Sequence, residues 1–295
     1  MFRRRDLVPF AYIALVWGGS YPAIEFGLTV LDPLYFAATR LFVAAVATLP
    51  VAAWLVDGRA WLPQSRADWA HVAVGGVFLT GLANGFLFVG QQFATGGVGA
   101  VVISLNPVLA AGLASVWLPE ERLSAVEAAG VLLGLVGVVV VADPSLAAFR
   151  GGGQYFLLLA AASFAVGSVL TERLDADLPS IAGTGWALLL GATVLVVATV
   201  ALGRPAPVAR TLTDPTLLGI VLYLGIVATA GAYVAYFALL AAVGPVRTNL
   251  VSYVVPVVAA LLGAHLLGEP VTPAMVGGFA LVAGGFALLN RQTLW

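Results

Sequence analysis

Arg40 is the residue in this sequence whose type and place offer the most chemistry. It stands about two turns into the apolar run 34–56, and a charge so deep in an apolar run is costly and usually functional. A guanidinium there can anchor a substrate carboxylate through paired hydrogen bonds. Glu25 stands in the preceding run, at similar depth if the two runs are antiparallel helices. It offers a partner for Arg40 or a site for a proton. Two plainer readings stay open: a structural Arg40–Glu25 pair, or Arg40 snorkelling along its stem to outer headgroups.

Other polar and aromatic residues gather around these two. Trp17-Gly18-Gly19-Ser20-Tyr21-Pro22 lies inside the first apolar run. Trp17 and Tyr21 are four apart and share a helix face. The two glycines admit a close neighbour, and Pro22 removes a backbone donor. Rings beside freed carbonyls suit a binding cavity, and tight packing around a tolerated kink is the alternative. Further along, Asn84, Asn106, Tyr233, Tyr236, Asn249 and Ser252 are polar groups within apolar runs. Singly, such groups bond across helices; together they would line one cavity. The candidate binding set is therefore Trp17, Tyr21, Arg40, Asn84, Asn106, Tyr233, Tyr236, Asn249 and Ser252. Glu25 is the coupling or ion-pair candidate, and Pro22, Pro107 and Pro256 are the expected helix kinks. His71 and His265 lie at run ends, and the chain has 0 Cys. No catalytic residue, metal site or cofactor is expected.

The elements that must position these residues follow from composition. Of 295 residues, 61% are hydrophobic and 9% charged, and mean hydropathy is +1.05. A soluble domain is about 45–50% apolar and about 25% charged. So greasy a chain needs lipid around it. Backbone groups in lipid must be satisfied within the protein, which leaves helices or closed barrels. Runs such as 98–118 show no period-two alternation, so helices are expected. A span takes about 20 residues. Breaks at turn-forming and charged clusters give ten spans, near 9–29, 34–56, 68–90, 98–118, 124–142, 153–172, 180–202, 215–240, 246–267 and 271–290. The Arg3–Arg5 cluster and the run after it are too long for a signal peptide and read as a retained first span.

Charge sets orientation. With a cytoplasmic N-terminus, the inner segments hold Arg3, Arg4, Arg5, Arg59, Arg66, Arg122, Arg173, Arg247 and Arg291, against Arg150, Arg204 and Arg210 outside. Positive residues favour the inside, so both termini are expected in the cytoplasm. All 13 basic residues are Arg, which reads as genomic bias. A net charge of −1 without a basic cluster argues against nucleic-acid partners. Without lysine there is no phosphate-binding loop for ATP.

The halves resemble each other. Gly99 to Pro107 followed by Pro119-Glu120-Glu121-Arg122 answers Thr248 to Pro256 followed by Gly268-Glu269-Pro270. Thr80 and Thr229 correspond, as do Asn84 and Tyr233. Five spans per half is odd, so the second half enters the membrane from the other side. Such inverted repeats recur in secondary transporters. Residues 1–145 and 146–295 are the expected halves.

Trp17-Gly-Gly-Ser-Tyr-Pro-Ala-Ile, Arg40, Ile103-Ser-Leu-Asn-Pro-Val and Leu267-Gly-Glu-Pro-Val-Thr-Pro together resemble the EamA-type family of the drug/metabolite transporter superfamily. The resemblance covers nearly the whole chain. It implies an all-α, ten-helix, 5+5 inverted-repeat carrier in a prokaryotic plasma membrane. Such carriers usually export metabolites such as amino acids, coupled to protons or to substrate gradients, without ATP. Relatives often carry a basic residue where this chain has Glu25. The expected partners are a small-molecule substrate and the lipid bilayer, with a monomer by default and a homodimer as the alternative. An intramembrane enzyme finds little support, since the sequence lacks a His-Glu-x-x-His motif. A channel or a structural membrane partner is the alternative function.

Overall fold

The computed structural model describes residues 4–93, 96–118, 123–142, 152–267 and 273–289, and the chain is all-helical within them. Glu120, Glu121, Arg122, Arg150, Glu269 and Arg291 lie outside the described residues.

The first apolar run forms two helices, α1 (Arg4–Gly18) and α2 (Ser20–Leu28). Pro22 explains the break, because it has no N–H for the Gly18 carbonyl one turn back. Helix α3 (Pro33–Leu55) starts on Asp32, whose Oδ1 accepts from the Leu34 N–H at 2.9 Å. Proline at the first helical position gives up only a donor that would be unpaired anyway. Helix α4 (Arg66–Val74) opens with a capping box between Ser65 and Asp68. It continues through a wide π-helical stretch, Gly75–Leu82, into α5 (Ala83–Gln91). The next run is split into α6 (Gly96–Ile103) and α7 (Asn106–Trp117), with the break just ahead of Pro107. Helix α8 (Ala125–Ala142) follows.

The second half opens with α9 (Gly153–Arg173), α10 (Ser180–Ala201) and the short α11 (Val208–Thr213). Helix α12 (Pro215–Leu222), capped by Asp214, runs through a second π-helical stretch, Tyr223–Gly231, into α13 (Ala232–Asn249). Gly244 bends α13 with φ at 79°, a backbone shape that glycine adopts without penalty. Helices α14 (Val251–Leu267) and α15 (Pro273–Leu289) end the fold.

Among the described residues, six helices are long and apolar enough to cross a membrane: Arg5–Leu28, Pro33–Leu55, Arg66–Gln91, Gly153–Arg173, Ser180–Ala201 and Pro215–Asn249. Ala125–Val140 and Val276–Gly285 are shorter apolar helices. The expected runs 98–118 and 246–267 differ most from single straight spans. The first breaks at 104–105, and the second is preceded by the Gly244 bend and interrupted at Leu250. Pro256 was expected to kink its helix, yet it sits inside the continuous α14. Proline here deprives the Ser252 carbonyl of its donor. Ser104 Oγ donates to that carbonyl at 2.8 Å.

Large apolar side chains face outward, Trp54 at 82% and Val200 at 74% exposure among them, as a lipid-facing surface requires. Inside, the halves interlock. Helix α10 packs along α3 and along the first π stretch, while α3 packs on the second π stretch. Helices α8 and α15 lie in close contact. A Cβ on Gly285 would come within 2.6 Å of the Gly130 carbonyl and 2.8 Å of the Gly134 nitrogen. The glycine pair at 130 and 134 thus serves close packing within one chain.

Candidate functional site

A π turn shifts the helical bonding by one residue and is frequent at functional sites. Here each π stretch has a carbonyl bonded by an aromatic donor from the other half. Tyr233 Oη donates to the Leu79 carbonyl at 3.1 Å. Trp17 Nε1 donates to the Ala228 carbonyl at 3.0 Å. Leu79 and Ala228 each stand directly before a threonine, Thr80 and Thr229. The two donor rings meet near edge-on, 5.8 Å apart.

Beside these rings lies a cavity with about 670 Å³ of atom-free space, its mouth included. Its wall comes from both halves. Trp17, Ser20, Tyr21 and Ile24 come from α1 and α2, Arg40 from α3, and Ala83, Asn84 and Leu87 from α5. Ala100, Ile103 and Asn106 belong to the broken run α6–α7, Ala160 and Phe164 to α9, Tyr233 to α13, and Ser252 and Val255 to α14. The breaks in the helices make room for this wall. A Cβ at Gly18 would lie 2.8 Å from Val258 Cβ, so glycine there lets α14 close on α1. Pro107 leaves the Ile103 carbonyl without the donor one turn on.

Arg40 is 6% exposed. Its Nη2 donates to Asn84 Oδ1, and its guanidinium sits 4.6 Å over the Phe88 ring. Asn84 Nδ2 in turn donates to the Thr80 carbonyl at 2.7 Å and to Tyr233 Oη at 2.9 Å. Arg40 Nε and Asn106 Oδ1 are buried without a hydrogen-bond partner. Among the described residues, the ion pairs join Arg5 to Asp6, Arg204 to Asp32 and Arg247 to Glu127, and none involves Arg40.

Seven of the sequence-predicted residues line the cavity: Trp17, Tyr21, Arg40, Asn84, Asn106, Tyr233 and Ser252. Tyr236 and Asn249 do not. Tyr236 Oη donates to Asn249 Oδ1 at 2.9 Å, and Asn249 Nδ2 donates to Ser168 Oγ at 3.0 Å. Their polar groups are spent on each other, which is why they form a buried plug instead of a wall. The plug touches the cavity through rings, with Tyr236 5.1 Å from Phe164 and 5.8 Å from Trp17. The expected Arg40–Glu25 pair is also absent. Glu25 is exposed on α2, flanked by exposed Phe26, while Arg40 is turned toward Asn84 and Phe88 on α5. Of the three expected kinks, Pro22 and Pro107 lie next to breaks and Pro256 does not.

Sequence reading missed Phe88, Phe164 and Ser20. Phe88 was within reach, because it follows Asn84 by one helical turn and shares its face. Phe164 carries no distinguishing mark among the 15 Phe. Chemically, the cavity offers one cation, several amide and hydroxyl groups, and the rings of Trp17, Tyr21 and Phe164. That mixture fits a small organic molecule with one polar end.

The wider chain resembles known proteins throughout its length. A solved crystal structure superposes with a TM-score of 0.78 at 23% identity, covering 99% of each chain, and so shares the fold. An Arabidopsis thaliana protein, the chloroplastic WAT1-related protein At3g02690, is 28% identical over 93% of this chain, which spans 66% of that protein. An uncharacterized transporter of Archaeoglobus fulgidus is 27% identical over 97% of this chain and 98% of its own. The inner membrane transporter YedA of Escherichia coli K12 is 29% identical over 90% of this chain and 86% of its own. The model of the EamA-like transporter family matches twice, at residues 8–142 and 151–291. With that match covering both halves, the chain belongs to the EamA-like transporter family.

Proposed function

We propose that this protein is a secondary transporter that exports a small metabolite by alternating access, with the Arg40 cavity as its central site. The observation that carries the reading is the cavity's place. It lies between the two halves, takes wall residues from both, and holds a buried cation and an orphaned amide oxygen. An ionisable group inside a membrane is expensive to keep and marks substrate pathways. In this reading the chain spans the membrane ten times, in two five-helix halves of opposite orientation, residues 1–145 and 146–295. The doubled family match and the matched π stretches support that division. Both termini are cytoplasmic, and the membrane is the plasma membrane of a prokaryote. One chain contains both halves and works as a monomer, without ATP or a cofactor. The halves rock about the cavity and expose it to each side in turn.

Substrate-dependent flux from proteoliposomes tests this. Liposomes loaded with a mixed pool of small metabolites are sampled by mass spectrometry. The expected result is saturable efflux of one chemical class, lost in Arg40→Gln and in Tyr21→Ala. Flux at channel-like rates without saturation contradicts the carrier. Folded, inserted protein that moves nothing from a broad pool favours a structural role instead.

A further inference from the structure

The charge inside the cavity goes beyond the bare reading of a carrier. Arg40 brings a full positive charge to a wall that otherwise holds amides, hydroxyls and rings. No aspartate, glutamate or histidine stands among the described residues lining it. The titratable groups set beside Arg40 are Tyr21 and Tyr233. Both are buried phenols that give the guanidinium no negative charge at neutral pH. Its companions, the Asn84 amide and the Phe88 ring, orient the cation without neutralising it. Arg40 Nε keeps a free donor, and the nearby wall keeps a free acceptor at Asn106 Oδ1.

Resting on the carrier reading, we propose that the substrate is a small organic monoanion, such as a carboxylate with a flat apolar body, and that the membrane potential drives its export. A buried cation lacking a counter-charge is stabilised by a ligand that brings one. A carboxylate can take two parallel bonds from a guanidinium, whereas an ammonium group meets repulsion. A zwitterion brings its own cation and finds no carboxylate in the described wall to receive it. The energy source follows from the same count. Arg40 keeps its charge through the cycle, so each turnover carries the substrate's single negative charge outward. In a cell that is negative inside, that movement is downhill in voltage. No proton-carrying carboxylate or imidazole lines the described cavity, and none is needed.

Three permanently charged or zwitterionic probes with the same ring separate the charge classes: 2-phenylethanesulfonate, phenylalanine and phenyltrimethylammonium. Each is loaded into proteoliposomes holding the wild-type protein. A tenfold outward potassium gradient with valinomycin sets the inside negative. Thermal stabilisation of the purified protein by each probe is measured in parallel. The expected result is saturable efflux of the sulfonate to an outside-to-inside ratio of about tenfold, as the potential dictates for a monovalent anion. Arg40→Gln loses both that flux and the stabilisation, and Arg40→Lys keeps part of each. The wild-type comparison stands even where a variant fails to fold. Efflux of phenylalanine or the ammonium probe in preference to the sulfonate keeps the carrier and overturns the anion assignment. Sulfonate flux that ignores the potential overturns the energy source. Stabilisation by the sulfonate without flux keeps the anion site and contradicts the carrier. Neither stabilisation nor flux with the sulfonate overturns the anion proposal, whatever the other probes do.

Discussion

Asn84 governs the cavity at the level of single residues, because it binds three partners at once. It accepts from Arg40 and donates to the Thr80 carbonyl and to Tyr233 Oη. Asn84→Leu removes all three bonds and strands buried polar groups. The expected cost is about 1–3 kcal/mol for each group left unsatisfied, read as a lower melting temperature in detergent. Asn84→Asp has nearly the same shape and adds a carboxylate beside Arg40. It gives up the two bonds that the Asn84 amide donates, so it should fold but melt below the wild type, and it should lose transport because the cation then has a resident partner. Retained transport in a folded Asn84→Asp protein would count against Arg40 as the anchor. At this scale much was legible in the sequence. A charge in an apolar run, Arg40, and polar residues spaced along others pointed to residues that the structure brings together around one cavity. That Glu25 stands apart from Arg40, and that Tyr236 and Asn249 bond each other instead of lining the cavity, was not legible. Their sequence context is as apolar as that of Arg40, and only side-chain direction tells them apart.

The helices themselves are shaped by small residues and by what lies against them. Gly285 faces the Gly130 carbonyl and the Gly134 nitrogen, which are backbone atoms that cannot rotate away. Gly219 has nothing within 4 Å of a Cβ placed on it. Gly285→Ala should therefore push α15 from α8 and lower stability, while Gly219→Ala should be neutral or slightly stabilising. Parallel thermal denaturation of the two variants checks this, and equal effects would contradict the packing account. Tyr233→Phe deletes the bond to the Leu79 carbonyl and an acceptor for Asn84. It should cost about 0.5–1.5 kcal/mol per bond lost, measured by the same denaturation. Helix type and approximate limits were readable from hydropathy and punctuating residues. The π stretches were not, since Gly75–Leu82 and Tyr223–Gly231 differ from ordinary helix only in backbone bonding. The backbone shape near α14 was not legible either. Pro256 was the conspicuous residue, but Gly244 supplies the bend and Ser104 covers the carbonyl that Pro256 frees.

The whole molecule joins its halves by reciprocal contacts. Trp17 reaches Ala228 and Tyr233 reaches Leu79, while Asn249 with Tyr236 closes on Ser168 within the second half. In a rocking carrier some of these must part in every cycle. The chain has 0 Cys, so engineered thiols carry no background. The pair Ser168→Cys and Asn249→Cys lies within one half, so bridging it with mercuric ion should leave flux intact. Flux that falls on bridging and returns with excess thiol would mean that α9 and α13 part during the cycle. In the sequence the expected repeat rests on likenesses such as Thr80 with Thr229. The cross-bonding was not legible there, because it joins residues far apart in the chain through donors that are common in any membrane helix.

Access to the cavity from each side tests the carrier most directly. A single Ser20→Cys variant places a thiol in the wall, and a membrane-impermeant thiol reagent is applied to oriented proteoliposomes from one side or the other. Alternating access predicts labelling from both sides, with transported substrate slowing both reactions. Labelling from one side only, under conditions where the protein is moving substrate, would contradict a carrier that works through this cavity.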